Sequence, residues 1–399
     1  MTSPPNPTPD PLTPPLEALY WTQYGTWYPI FRRHAPKSTV IDIDDVQPQL
    51  LDWLDADTFV LPDGSGPSTL PTPHQHESSR SSSSTASEDG DEDEEEDEGE
   101  EAVKLPALDS AIRAVIRKYD SPVFPKLNWS APLDAGFMLP GNSLQCLHPE
   151  DVYLLLKSSE FVARDLEQIS HLLPSPSLRI RPQLVLKKWF ALSKSYEFRV
   201  FVRAAHLLAI TQRDVTFYEH LQTRALQSRI KRAIFDFWTH VVAPEQKWGL
   251  TDYVMDVYLT KDLARCWLVD VNAWLPRTDT LLFAFDELDA LHLREKALRR
   301  TDSREDEVDE VQEGVVRLHM SGGENTGLEE EAWGESDVEL RVLSDRRMQS
   351  AGGTGATYSS NMVPQDLVEF AQSPSNVTQN MSVDQIVRRW NDHVDSETP

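Results

Sequence analysis

Several things are scarce in this chain of 399 residues. It has two cysteines, Cys146 and Cys266, far apart and in no metal or redox spacing. That excludes a disulfide framework and a cysteine-ligated zinc site, and predicts two buried thiols in a reducing compartment. No apolar run approaches the ~18 residues of a membrane span. No charged stretch followed by an apolar one stands at the start, so a secretory leader is not expected and a cytoplasmic location is. There is no G-x-G-x-x-G and no Walker-type phosphate loop. A phosphate site here must be built from side chains and metal. Positive charge is also short: 38 Lys and Arg against 65 Asp and Glu, a net charge of −27. Such a chain is poorly suited to a nucleic-acid backbone, so a basic protein surface is the expected partner.

Two stretches are too polar to bury a core. Residues 1–15 read "MTSPPNPTPDPLTPP", and residues 64–101 run through "SSRSSSSTAS" into "EDGDEDEEEDEGEE". This composition predicts disorder. Twelve of the last fourteen of those residues are acidic and supply −12 of the −27, which leaves −15 elsewhere. The acidic run can steer a basic partner or simply keep the chain in solution. Folded sequence is expected at 16–63 and 102–290. A charge-rich linker is expected at 291–337, and a tail at 338–399 with short ordered pieces at "LRVLSD" and "YSSNMVPQDLVEF". Ser382 and Gln385 form a capping-box pattern before a terminal helix.

Periodicity supplies the elements. "KSTVIDI" reads as a strand, and Leu108, Ile112, Val115, Ile116 and Tyr119 recur at helical spacing. "HPEDVYLLLKSSEFVARDL" reads as one helix with Pro149 at its first position. "LVLKKWF", "YEFRVFVR" and "HLLAITQRD" alternate as strands, the last two joined at Ala204–Ala205. In the middle strand Glu197, Arg199 and Arg203 face away from Tyr196, Phe198, Val200 and Val202. An amphipathic helix follows at about 221–242, with Ile230, Ile234, Phe237, Trp238 and Val241 inward. "YVMDVYL" and "CWLVDVNAW" are two more strands, and "TDTLLFAFDEL" reads as a helix or helical turn.

The chemistry gathers in those last strands. Alternation puts Leu268, Asp270, Asn272 and Trp274 on one face of "WLVDVNAW". If the two strands pair antiparallel, Asp256 sits opposite Asp270 or Asn272 and points the same way. Two carboxylates and an amide are hard oxygen ligands, suited to Mg²⁺ carrying a phosphate-bearing ligand. The same residues also fit a solvated polar face. Cations for phosphates are available at Lys126, Lys187, Lys188, Arg199 and Arg213. Lys187 and Lys188 are adjacent, so only one can enter a given cleft.

"PKLNWSAPLDAGFMLPGNSLQCLHPEDVYLLLKSS", "LVLKKWFALSKSYEFRVFVR", "AITQRDVTFY" and "WLVDVNAWLPRTDTLLFAFDEL" closely resemble the cell division cycle protein 123 (D123) family. The resemblance covers about 20–63 and 105–290, with a tail-like piece beyond "LRVLSD". It implies an α+β, ATP-grasp-like fold: two lobes with antiparallel sheets and a nucleotide cleft between them. It implies a monomeric assembly chaperone for eukaryotic translation initiation factor 2 that binds the gamma subunit and brings it to the alpha subunit, with ATP and Mg²⁺ as cofactors. Because most ATP-grasp proteins activate a carboxylate, a ligase or kinase acting on an unknown acceptor is the alternative. By the same resemblance Lys126, Asn128, Trp129, Ala131 and Asp134 form a first nucleotide-contacting loop. Lys187, Lys188 and Trp189 match a hinge. Glu197, Arg199, Arg213 and Asp214 lie over ribose and phosphates, and Asp256, Asp270 and Asn272 match the Mg²⁺ ligands. Ala273 stands where the family often has proline, and "LPR" replaces a more glycine-rich turn.

Overall fold

The computed structural model describes residues 15–56, 60–66, 103–172, 180–311 and 333–346. The acidic run at 88–101, "YSSNMVPQDLVEF" and the capping-box helix all lie outside these residues. The described strands are β1 (Ser38–Asp42), β2 (Val123–Lys126), β3 (Gln183–Lys188), β4 (Glu197–Arg203), β5 (His206–Gln212), β6 (Tyr253–Leu259), β7 (Cys266–Ala273) and β8 (Glu339–Arg341). The helices are α1 (Leu16–Thr22), α2 (Tyr24–Phe31), α3 (Ile43–Val46), α4 (Gln49–Asp55), α5 (Pro106–Tyr119), α6 (Pro149–Lys157), α7 (Glu160–Leu172), α8 (Arg224–Phe237) and α9 (Phe285–Val311). The fold is α+β with predominantly antiparallel sheets, and it divides into two compact units.

One unit is Ser38–His171 with Arg181–Trp189. Its three-stranded antiparallel sheet has the order β1-β3-β2. Leu184 and Leu186 of β3 join Ile41, Val123 and the buried stripe of α5 (Leu108, Ile112, Val115, Tyr119) in one core. Alternation then puts Val185 and Lys187 on the other face, opposite Lys126 and Phe124 of β2. The helix expected from Pro149 onward is two helices. Asp151 accepts the N–H groups of His148 (2.9 Å) and Leu147 (2.8 Å) at the start of α6. The break falls at Ser158–Ser159, because the Ser159 hydroxyl accepts the Val162 N–H (3.3 Å) and so caps a new helix instead of continuing the old one.

The other unit holds the described residues up to Lys37 and those from Phe190 onward, with Leu172 and Ile180. Its five-stranded sheet has the order β7-β6-β4-β5-β8, antiparallel except for β8 beside β5. Ala204 and Ala205 make the tight β4–β5 turn, both at positive φ (49° and 60°). One sheet face packs on α8, α1 and α2. The amphipathic helix ends in a π turn at Trp238–Val242, which adds a residue to the turn. Val242 is therefore buried in place of the expected Val241.

On the opposite face Phe201 packs with Leu208, Ala209, Val254, Phe283 and Leu288. Phe201 is an apolar member of the face that carries Glu197 and Arg199. "TDTLLFAFDEL" supplies a turn and then the first residues of α9, which runs on through much of the charge-rich stretch expected as a linker. Leu288 at its start joins the Phe201 core, and Glu295 further along is fully buried, with Oε1 3.5 Å from His206 Nδ1 and Oε2 3.5 Å from His292 Nδ1. The "LRVLSD" segment contributes β8, and Val338 and Leu343 are buried against the sheet. Cys146 is buried as expected, while Cys266 is half-exposed because it begins an edge strand.

Candidate functional site

The acidic face of the five-stranded sheet is built by register. Asp256 pairs directly with Asp270, and Asn272 lies opposite Val254, so all three side chains share one face. A bulge follows: Val257 pairs with Leu268, leaving Val269 as the extra residue. The bulge flips the face assignment of everything before it in β7. Leu268, expected beside Asp270, is fully buried on the opposite face, and Trp267 takes its place opposite Tyr258.

Arg199 of β4 lies directly across from Asp256. Its Nε and Nη2 donate to the two Asp256 oxygens at 2.8 and 2.9 Å, and Nη1 donates to the Asp279 carbonyl at 2.7 Å. Arg213 Nε adds a third bond to Asp256, at 3.1 Å. Burial alone would push the Asp256 carboxyl up, but the two guanidiniums beside it hold it well below the usual carboxylate range. Burial pushes the neighbouring Glu197 up instead, with Arg213 opposing. Glu197, Asp256 and Asp270 set against Arg199 and Arg213 leave a net charge of −1. Two like charges directly opposite in a sheet repel, and the arginines offset that.

These residues fit a divalent cation. A carboxylate has about four lone-pair positions; the three arginine bonds leave one on Asp256, at Oδ1. Asp270 and Asn272 are half-exposed and add a carboxylate and an amide oxygen. Among the described residues no three of His, Cys, Asp and Glu gather as a metal cluster, so a metal here must use the Asn272 amide. With three donors committed, Arg199 positions Asp256. Arg213 gives Asp256 only its Nε and is the better placed of the two to meet an anion. Asp214 is turned to local work: its carboxylate accepts the Tyr218 hydroxyl and its carbonyl accepts the Gln212 amide.

In the other unit, Lys126 and Lys187 share a sheet face and are both buried (1% and 6% exposed). Lys187 Nζ lies 5.8 Å from the Phe124 ring, which stacks on Trp189 at 6.4 Å. Lys188 points to the opposite face and donates to the Tyr119 carbonyl at 3.0 Å, so its side chain does not join the other two. The loop after β2 is tied down at each polar position. Asn128 donates to the Arg181 carbonyl (2.6 Å) and accepts the Gln183 N–H (2.8 Å). Asp134 accepts the Ser159 hydroxyl (2.5 Å) and the Phe161 N–H (3.3 Å). Trp129 and Ala131 are half-buried between these anchors.

The D123 family model matches residues 27–371. The chain belongs to the D123 family. An Aspergillus fumigatus protein named translation initiation factor eIF2 assembly protein is 32% identical over 404 residues, covering 94% of this chain and 89% of its own length. A Kluyveromyces lactis protein of the same name is 40% identical over 190 residues, which span 47% of this chain and 50% of that one. The solved structure of Cdc123 from Schizosaccharomyces pombe aligns at 30% identity with a TM-score of 0.52, covering 70% of this chain and 94% of that one.

Among the D123 residues matched by sequence, the structure brings Asp256, Asp270, Asn272, Glu197, Arg199 and Arg213 together in one unit and Lys126 with Lys187 in the other. Two participants escaped the sequence reading. Asp279 acts through its carbonyl, which leaves no trace in side-chain patterning. Asp165 lies on α7 between Val162 and Ile169, all three buried. A lone carboxylate on an apolar stripe is the signal that marks it.

Proposed function

We propose that this chain is an assembly factor for eukaryotic translation initiation factor 2, binding its gamma subunit and promoting its joining to the alpha subunit, and that it works with Mg²⁺-ATP bound at an ATP-grasp-type site. The observation that carries the reading is the likeness, over nearly the whole chain, to a protein named as an eIF2 assembly protein. The nucleotide part is supported by the donor set on the acidic face. Asp270, Asn272 and the remaining Oδ1 position of Asp256 would hold the metal. When bound, the metal neutralises phosphate charge and fixes the triphosphate. Arg199 keeps Asp256 ionised and oriented, and Arg213 supplies positive charge for phosphates. In the other unit, taken by itself, the loop from Lys126 to Asp134 is the nucleotide-contacting segment that the family resemblance implies. No residue is assigned a covalent step.

The test is direct binding. Immobilised full-length chain is incubated with purified gamma subunit, and then with alpha subunit, with and without Mg²⁺-ATP. The expected result is retention of gamma and a larger yield of the alpha–gamma pair. Gamma subunit that washes through under every condition overturns the reading.

A further inference from the structure

Loop Lys126–Asp134 and helix α7 hold each other at two points. At one, Asp165 Oδ2 accepts the backbone N–H groups of Trp129 (3.0 Å) and Ser130 (2.8 Å), and Oδ1 accepts the Ser130 hydroxyl (2.8 Å). At the other, Asp134 accepts the hydroxyl and N–H that open α7. The helix anchors the middle of the loop, and the loop's far end caps the helix. Asn128 adds a third tether, to the start of β3.

Three donors converge on the two carboxylate oxygens, two backbone N–H groups on Oδ2 and the Ser130 hydroxyl on Oδ1. An amide could keep all three by turning its NH2 toward the hydroxyl, so the clamp is removed by Asp165→Ala. The carboxylate is 6% exposed and satisfied by these three donors. Burial pushes it up, while the bonds from Ser130 and Trp129 and the charge of Lys126 pull the other way. Lys126 itself is 1% exposed, and a buried ammonium is costly without such a neighbour. The same side chain thus fixes the loop backbone and supports the charge at its head.

We infer that Asp165 is a positioning residue of the nucleotide site: it holds loop Lys126–Asp134 in the shape that receives the nucleotide without touching the nucleotide itself. This rests on the nucleotide reading above. A loop already ordered does not lose its backbone freedom on binding, whereas a released one does. Releasing Trp129 and Ser130 makes binding carry that cost, so Asp165→Ala weakens Mg²⁺-ATP by about 10-fold or more. Ser130→Ala removes one of the three bonds and weakens it by about 3- to 5-fold.

The experiment uses full-length chain, with calorimetric titration of Mg²⁺-ATP well below the melting temperature and amide exchange read at Trp129 and Ser130. The expected result is weaker binding with a more unfavourable entropy, faster exchange at those two amides, and unchanged exchange in the second half of α7. A residue that only stabilised the fold would leave the affinity of the folded protein alone. Faster exchange with unchanged affinity in both variants overturns the inference. If Asp165→Ala does not fold, Ser130→Ala decides by itself, and an unchanged dissociation constant there overturns it. Wild-type chain that binds no nucleotide overturns the site reading and this inference with it; wild-type exchange at Trp129 and Ser130, which needs no nucleotide, shows whether the clamp exists regardless.

Discussion

Removing the Asp256 carboxylate is predicted to unsettle the larger unit before it affects any ligand. Asp256 is 3% exposed and accepts three bonds from two guanidiniums. Arg199 is 8% exposed, and in Asp256→Ala it keeps the Asp279 carbonyl but loses both bonds to the carboxylate. Breaking a buried ion pair from one side costs about 3–5 kcal/mol. Relief of repulsion with Asp270 returns up to about 1 kcal/mol. The expected loss is therefore about 2–5 kcal/mol, or about 5–20 °C in melting temperature. Urea unfolding followed by tryptophan fluorescence measures it, since Trp238, Trp248 and Trp274 all lie in that unit. The pH dependence has a definite sign. The folded Asp256 carboxyl is held below its ordinary value, so its contribution is present above the unfolded aspartate pKa, about 4. It fades as pH falls from there toward the folded value, and the variant's stability profile is flatter across that acid window. A loss under about 1 kcal/mol at neutral pH would refute this account of the arginine–aspartate cluster.

Asp270→Ala, by contrast, removes a half-buried carboxylate; stability should stay within about 1 kcal/mol while Mg²⁺-ATP affinity falls at least tenfold, and equal affinity by calorimetry would count against the metal assignment. Replacing Ala204–Ala205 with Asn-Gly should stabilise by about 1 kcal/mol, because both positions sit at positive φ; a destabilised variant would show that the turn is held by other contacts. Arg341 bonds Glu287 (2.7 Å), Glu339 (2.7 Å) and the Leu282 carbonyl (3.0 Å), so Arg341→Ala should lose about 1–2 kcal/mol and free the 333–346 segment to proteolysis; a wild-type digestion pattern would contradict this. The Arg341 hydrogen bond holds the Glu287 carboxyl below its usual range, so that contribution is present above about pH 4.5 and is lost on acidification.

Strands were the most legible part of the sequence. Alternation in "YEFRVFVR" and "YVMDVYL" marks β4 and β6, and a short connection forces Asp256 and Asp270 onto one face. What alternation cannot show is a bulge, because an extra residue changes no composition; Leu268 and Trp267 were therefore exchanged between faces. The π turn after Phe237 hid Val242 in the same way. Serine is ambiguous inside a helical run, so the cap at Ser159 was read as continuation. The start of α9 was legible in "TDTLLFAFDEL", but its continuation from residue 291 was read as linker because that stretch is charge-rich and carries no apolar stripe. Among site residues, the strand-borne oxygens were found by spacing, while Asn128 and Asp134 came from family likeness and turn out to be tied to backbone and to a helix start.

The most direct test of the central claim is a calorimetric titration of Mg²⁺-ATP into full-length protein, repeated with Asp270→Ala and Asn272→Ala. One nucleotide bound per chain, dependent on Mg²⁺ and weakened at least tenfold in both variants, is the result expected for a metal held on the acidic face. Binding that is indifferent to Mg²⁺, or unchanged when both ligands are removed, would contradict it.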